Sequence, residues 1–172
     1  MNQITKTQKL NLADISAIFL HILISLFFVF SYKENWIPID QLKNWVSGYY
    51  FILPLVLIGV FFRPLRKMNF YLVWVILGIV QLYIYFIVKD NPDFYFQNRG
   101  TSFDGLRSLL PVMILFQIFR QNLKKKYKLE MIISIRKHRM SWYEEEEHRN
   151  MLMIEVVYSI LLSFATVLFG VI

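Results

Sequence analysis

Arg120 to Arg149, RQNLKKKYKLEMIISIRKHRMSWYEEEEHR, lies between two apolar segments and carries nine of the chain's nineteen Lys and Arg residues. Almost everything else is an apolar run or a short connection, so the side of a membrane that this stretch occupies fixes the rest. Short loops rich in Lys and Arg stay on the cytoplasmic face, because cationic side chains cross hydrocarbon at high cost and against the membrane potential. The stretch is therefore expected in the cytoplasm.

Composition supports that frame. Of 172 residues, 56% are hydrophobic and 18% charged, whereas a soluble domain carries about a quarter charged residues. The class is an all-α integral membrane protein in one domain. With no Cys there are no disulfides, thiolate metal sites or catalytic thiols. The net charge of +7 would point a soluble protein toward nucleic acid. Here the cations flank apolar runs, so the expected contacts are the bilayer and its anionic lipids, with no nucleic acid. Heavy use of Ile, Lys, Phe and Asn suggests an AT-rich bacterial genome.

Five spans are expected, at 13–32, 46–62, 70–88, 103–123 and 151–172, around a basic cytoplasmic loop at 124–150. The first follows Lys6 and Lys9 and runs for 20 residues, enough to cross a bilayer core. It is too long for a signal peptide and lacks a small-residue cleavage site, so it is retained. Trp36 and Trp45 in the following connection suit a headgroup region. Pro54 and Pro111 are expected to break their helices. The fourth span has only 12 residues between Arg107 and Arg120, a length equally suited to a re-entrant segment. A crossing is preferred because both arginines can snorkel to opposite headgroups. It also leaves 14 Lys and Arg inside and 5 outside. The amino terminus is then cytoplasmic and the carboxyl terminus external. Ser141 to Glu144 reads as a capping box opening the last helix, with Glu144–Glu147 favoured by the helix dipole.

Three spans carry polar or small residues at helical spacing: Asp14, Ala17, His21 and Ser25; Trp74, Gly78, Gln81 and Tyr85; Glu155, Ser159, Ser163, Thr166 and Gly170. Residues so spaced share a helix face. One reading makes these the faces by which the bundle packs, with hydroxyls bonding across helices. The other makes them an intramembrane polar lane through His21, Gln81 and Glu155, since ionisable groups inside spans mark function by default. No internal repeat supports a carrier fold.

In the loop, Phe119, Leu123, Tyr127, Met131 and Ile135 recur every four residues, describing an amphipathic surface helix. Lys124, Lys125, Lys126, Lys128, Arg136, Lys137 and Arg139 form a basic patch for anionic lipid or a partner, or else only enforce topology. Pairing of this patch with Glu144–Glu147 would tune the loop rather than fold it. A single Glu-x-x-His step ending at His148 falls short of the two needed for a carboxylate-bridged metal site. Walker, nucleophile-elbow, zinc-protease and dinucleotide motifs are absent. No catalytic residue, cofactor or metal site is expected.

The expected function is a noncatalytic multi-pass subunit or scaffold of a bacterial cytoplasmic-membrane complex, bound to other subunits or to copies of itself. The alternative is a small channel, carrier or permeabilising effector, alone or as a homo-oligomer.

Overall fold

The computed structural model describes residues 10–95, 101–131 and 152–171; the capping box at Ser141, the Glu-x-x-His step, Ile135 and the basic residues Arg136, Lys137 and Arg139 lie outside them. Among the described residues the chain is all-helical and contains no strand. The five helices are α1 (Leu12–Lys33), α2 (Ile39–Gly59), α3 (Met68–Val88), α4 (Leu109–Tyr127) and α5 (Met153–Val171). Short 3-10 turns at Pro64–Arg66, Pro92–Phe94 and Asp104–Arg107 join them.

Local chemistry sets the boundaries. Asn11 precedes α1 and its backbone N–H donates to Asp14 Oδ2 at 2.9 Å, covering a donor that a helix start leaves exposed. Asn35, with φ 53°, turns the chain out of α1, and Pro38 stands at the entry to α2. The second helix therefore starts seven residues before the expected Val46, and Trp45 lies on it rather than in a connection. Neither expected break occurs. Pro54 sits inside an uninterrupted α2, and Pro111 occupies the first turn of α4, where the missing N–H has no intrahelical partner to lose.

The fourth segment also differs from its expected form. Residues 104–107 form a separate turn, and α4 proper begins at Leu109. Arg107 is held by neighbouring helices: its Nε donates to the Phe169 carbonyl at 3.1 Å and its guanidinium lies 5.5 Å from the Tyr85 ring. Arg120 is 8% exposed and grips Glu130. After Tyr127, Lys128 takes a left-handed conformation (φ 57°) and ends the helix. The expected amphipathic helix through Met131 is therefore absent. Met131 instead folds back, fully buried, and its carbonyl accepts from Arg66 Nη2.

Contacts at the two ends give the helix directions. At one end, Lys67 before α3 meets Asp14 at the start of α1, and Arg66 meets Met131 beyond α4. At the other, Tyr32 near the end of α1 donates to Asp93 beyond α3, and Arg107 holds the end of α5. Thus α1, α3 and α5 run one way and α2 and α4 the other. Among the described residues, the first end holds eight Lys and Arg against three acids, and the second four against five. We call the first the basic end.

The apolar core lies among α2, α3, α4 and α5. Leu42, Val46, Tyr50, Leu53 and Leu57 form the inward row of α2 against Phe70 and Trp74 of α3, Val112, Met113 and Phe116 of α4, and Leu162 of α5. Two glycines permit close approach. A Cβ on Gly78 would stand 3.3 Å from the Leu110 backbone, and one on Gly105 would stand 2.9 Å from Phe51 N. Gly105 thereby packs against the turn of α2 that Pro54 deprives of a hydrogen bond, since Pro54 cannot donate to the Tyr50 carbonyl.

Helix α1 touches this core only through the partly buried Ile18 and Phe28. Its buried residues are Asp14, His21 and Ser31, all polar. Phe19, Leu20, Leu23, Leu26, Val29 and Phe30 are exposed on its outer side. A water-soluble amphipathic helix does the reverse. Three helices, α1, α3 and α5 (over Met153–Gly170), are long and apolar enough to cross a membrane. Polar residues keep α2 and α4 below that standard, although their 21 and 19 residues make them about as long.

Candidate functional site

The polar side of α1 meets α2 and α3 in a seam running the length of the helix. At the basic end Lys67 Nζ lies 2.8 Å from Asp14 Oδ2, and the Asp14 side chain is fully enclosed. Two turns further along, His21 sits between two partners: Nδ1 is 2.8 Å from the Tyr49 hydroxyl and Nε2 is 3.0 Å from Gln81 Nε2. One turn on, Tyr50 donates to Ser25 Oγ at 3.1 Å, and Ser25 donates to the His21 carbonyl at 2.9 Å. At the far end the Tyr32 hydroxyl donates to Asp93 at 3.0 Å.

The centre of the seam is an aromatic box around His21. The ring of Tyr49 lies nearly parallel to the imidazole, its centroid 5.9 Å away beyond the shared hydrogen bond, Trp74 lies tilted at 5.2 Å, and Tyr50 stands edge-on at 6.4 Å. His21 and Gln81 are each 4% exposed and Trp74 is 1% exposed. Two polar atoms in this group, Trp74 Nε1 and Gln81 Oε1, are buried without a hydrogen-bond partner. Such an atom costs about 1–3 kcal/mol in an interior, so the pair is the least economical feature of an otherwise satisfied cluster.

Of the expected lane residues, His21 and Gln81 come into direct contact. Glu155 does not join them through any described contact. It is fully buried in the first turn of α5, where its Oε2 accepts the Leu152 N–H at 2.8 Å. The hydroxyls of α5 also act locally: Ser159, Ser163 and Thr166 donate to the carbonyls of Glu155, Ser159 and Leu162 within their own helix. The reading in which they bond across helices is corrected by those partners. Tyr49, Tyr50 and Lys67 belong to the seam and were not singled out as site residues. The adjacent tyrosines Tyr49 and Tyr50 midway along α2 were the available signal.

The basic patch is described in part. Lys124, Lys125, Lys126 and Lys128 are exposed at the end of α4. There their charge also complements the carboxyl-terminal pole of the helix. Lys124 pairs with Glu130, which Arg120 also holds at 2.9 Å and 3.2 Å. Burial pushes the Glu130 carboxyl up, but the hydrogen bonds and charges of Arg120 and Lys124 outweigh it and hold it below the usual glutamate range. Lys126 lies 5.3 Å over the Tyr127 ring. Among the described residues, no three His, Asp or Glu side chains converge as metal ligands would.

No family model, curated protein or solved structure matches this chain, so its function is argued from its own geometry.

Proposed function

We propose that this chain is a noncatalytic, multi-pass subunit or scaffold of a bacterial cytoplasmic-membrane assembly. All five helices cross the bilayer, with the basic end and the amino terminus cytoplasmic and the end of α5 external. The observation that carries the reading is α1, whose fully buried residues are all polar and whose aliphatic and aromatic side chains, Ile18 and Phe28 apart, mostly face outward. That helix needs apolar surroundings, either lipid or the helices of a partner. The lengths of α2 and α4, roughly 32 and 28 Å at 1.5 Å per residue, suit a hydrocarbon core of about 30 Å. The lysines at the end of α4 would bind anionic lipid, each contributing about 1 kcal/mol near the surface.

A photo-crosslinking residue in place of Phe27 on α1, or of Val80 on α3, tests this in native membranes. Attachment to a discrete membrane protein, or to a second copy, is the expected product. Lipid adducts alone at both positions, together with a monomeric mass in mild detergent, would overturn it.

The burial of the His21–Gln81 pair favours a second reading, a small channel, carrier or permeabilising effector using the α1 seam. Its path would follow His21, Gln81 and Tyr49 rather than reach Glu155. Ion or proton flux in liposomes that is unchanged after His21→Leu and Gln81→Leu would sink it.

A further inference from the structure

We propose that His21, Gln81 and Trp74 form a buried proton-binding site, in which water delivers the proton to His21 and the Gln81 amide rotates to receive it. The argument starts from hydrogen-bond accounting. With the Gln81 amide donating, His21 Nε2 is the bare nitrogen, and Nδ1 carries the hydrogen bonded to the Tyr49 hydroxyl. This leaves Gln81 Oε1 as an acceptor with nothing to accept. Protonation of Nε2 turns the bare nitrogen into a donor. A half-turn of the amide about its last torsion then sets Oε1 against that new N–H. The acceptor left idle in one state is the one required in the other, and no helix has to move.

Trp74 supplies the second element. Its indole N–H is a donor only, is buried, and has no partner. It lies on the same face of α3 as Gln81, two turns away, with His21 against both. We place one water between these two buried polar atoms, its oxygen accepting from the indole and its hydrogens meeting the amide oxygen. In the transfer, a protonated water gives one proton to the Nε2 lone pair and becomes neutral. The amide N–H₂, once rotated, faces that water's oxygen. One N–H bond forms, one O–H bond breaks, and nothing is oxidised or reduced.

Among the described residues, no carboxylate faces His21. The Trp74 ring centroid lies 5.2 Å from that of the imidazole, close enough to attract a positive ring, while Tyr49 meets it through its hydroxyl. Facing His21 from α2 are Tyr49 and Tyr50, and from α3 the neutral Gln81 and Trp74. The charged groups next along the seam, Asp14 and Lys67, are paired with one another two turns away. The claim concerns binding rather than flux, so it goes beyond both readings of function and can fail without either.

The test uses the full chain in lipid nanodiscs with His138→Gln and His148→Gln, leaving His21 as the single histidine, labelled with nitrogen-15. The expected result is a reversible loss of the bare-nitrogen resonance as the pH falls. The midpoint should move by about one pH unit or more in Gln81→Glu and in the opposite direction in Gln81→Leu. A water cross-peak to the Trp74 indole hydrogen is also expected. A bare-nitrogen resonance that persists to the pH of unfolding in both the parent and Gln81→Glu overturns the site. A midpoint indifferent to Gln81→Glu overturns the role of the amide, even if Gln81→Leu fails to fold.

Discussion

Removing the ammonium of Lys67 should be among the most damaging single changes at the basic end. Its Nζ lies 2.8 Å from Asp14 Oδ2, with the two side chains 16% and 0% exposed. At an effective dielectric near 20, two unit charges at that separation attract by about 6 kcal/mol. Desolvating each ion costs several kcal/mol, so the intact pair contributes little beyond an apolar replacement. Breaking it is different, because Lys67→Met takes the cation from an enclosed carboxylate that keeps the Asn11 N–H, at a cost near the lower end of about 3–5 kcal/mol. Asp14→Asn should cost somewhat less, because Asn can still accept the Asn11 N–H and Lys67 can reach toward the headgroups. The double variant should return to within about 1 kcal/mol of the parent, giving a coupling of about 4 kcal/mol or more. Other contacts of the two residues appear in both legs of the cycle and cancel. Unfolding by SDS in mixed micelles, followed by tryptophan fluorescence, reads these differences. If Lys67→Met lost under 1 kcal/mol, or if the two single losses simply added, the pair would not hold α1 to α3.

Gly105→Ala should cost about 1–3 kcal/mol in the same assay, because its Cβ would press on the α2 backbone at Phe51 and Tyr50. Gly48→Ala is the matched control: no atom lies within 4 Å of its Cβ, so a small gain from helix propensity is expected, and equal losses at both sites would refute the close approach. Because the Glu130 carboxyl is held below its ordinary range, its contribution is complete above that range and fades as the pH falls through the lowered value. Acid should therefore release residues 128–131 from Arg120 and Lys124. Hydrogen exchange at Met131 should rise on acidification in the parent and be already high in Glu130→Gln. Equal protection in the two at neutral pH would contradict the latch.

The helical class and the polar face of α1 were legible from spacing alone, because a lone Asp, His and Ser at steps of seven and four in an apolar run has few meanings. His21 and Gln81 were legible as a pair for the same reason. Glu155 was legible as lying near a helix end, because it stands at the start of the last apolar run, but its grouping with His21 and Gln81 rested on helix face alone. The start of α2 was missed because Asp40, Lys43 and Asn44 resemble a connection, while Pro38 pre-sets the helix entry. The end of α4 was missed because Leu123, Tyr127 and Met131 keep the apolar period. A left-handed Lys128 and a carboxylate at Glu130 redirect the chain, and neither leaves a periodic trace.

The central claim is that Lys125 and Lys33 lie on opposite sides of a bilayer, the first on the cytoplasmic side. The chain has no Cys, so Lys125→Cys and Lys33→Cys each offer one thiol to an impermeant maleimide. In intact cells Lys33→Cys should label at once, and Lys125→Cys only after the membrane is opened. Labelling of both from outside, or of Lys125→Cys alone, would contradict the account.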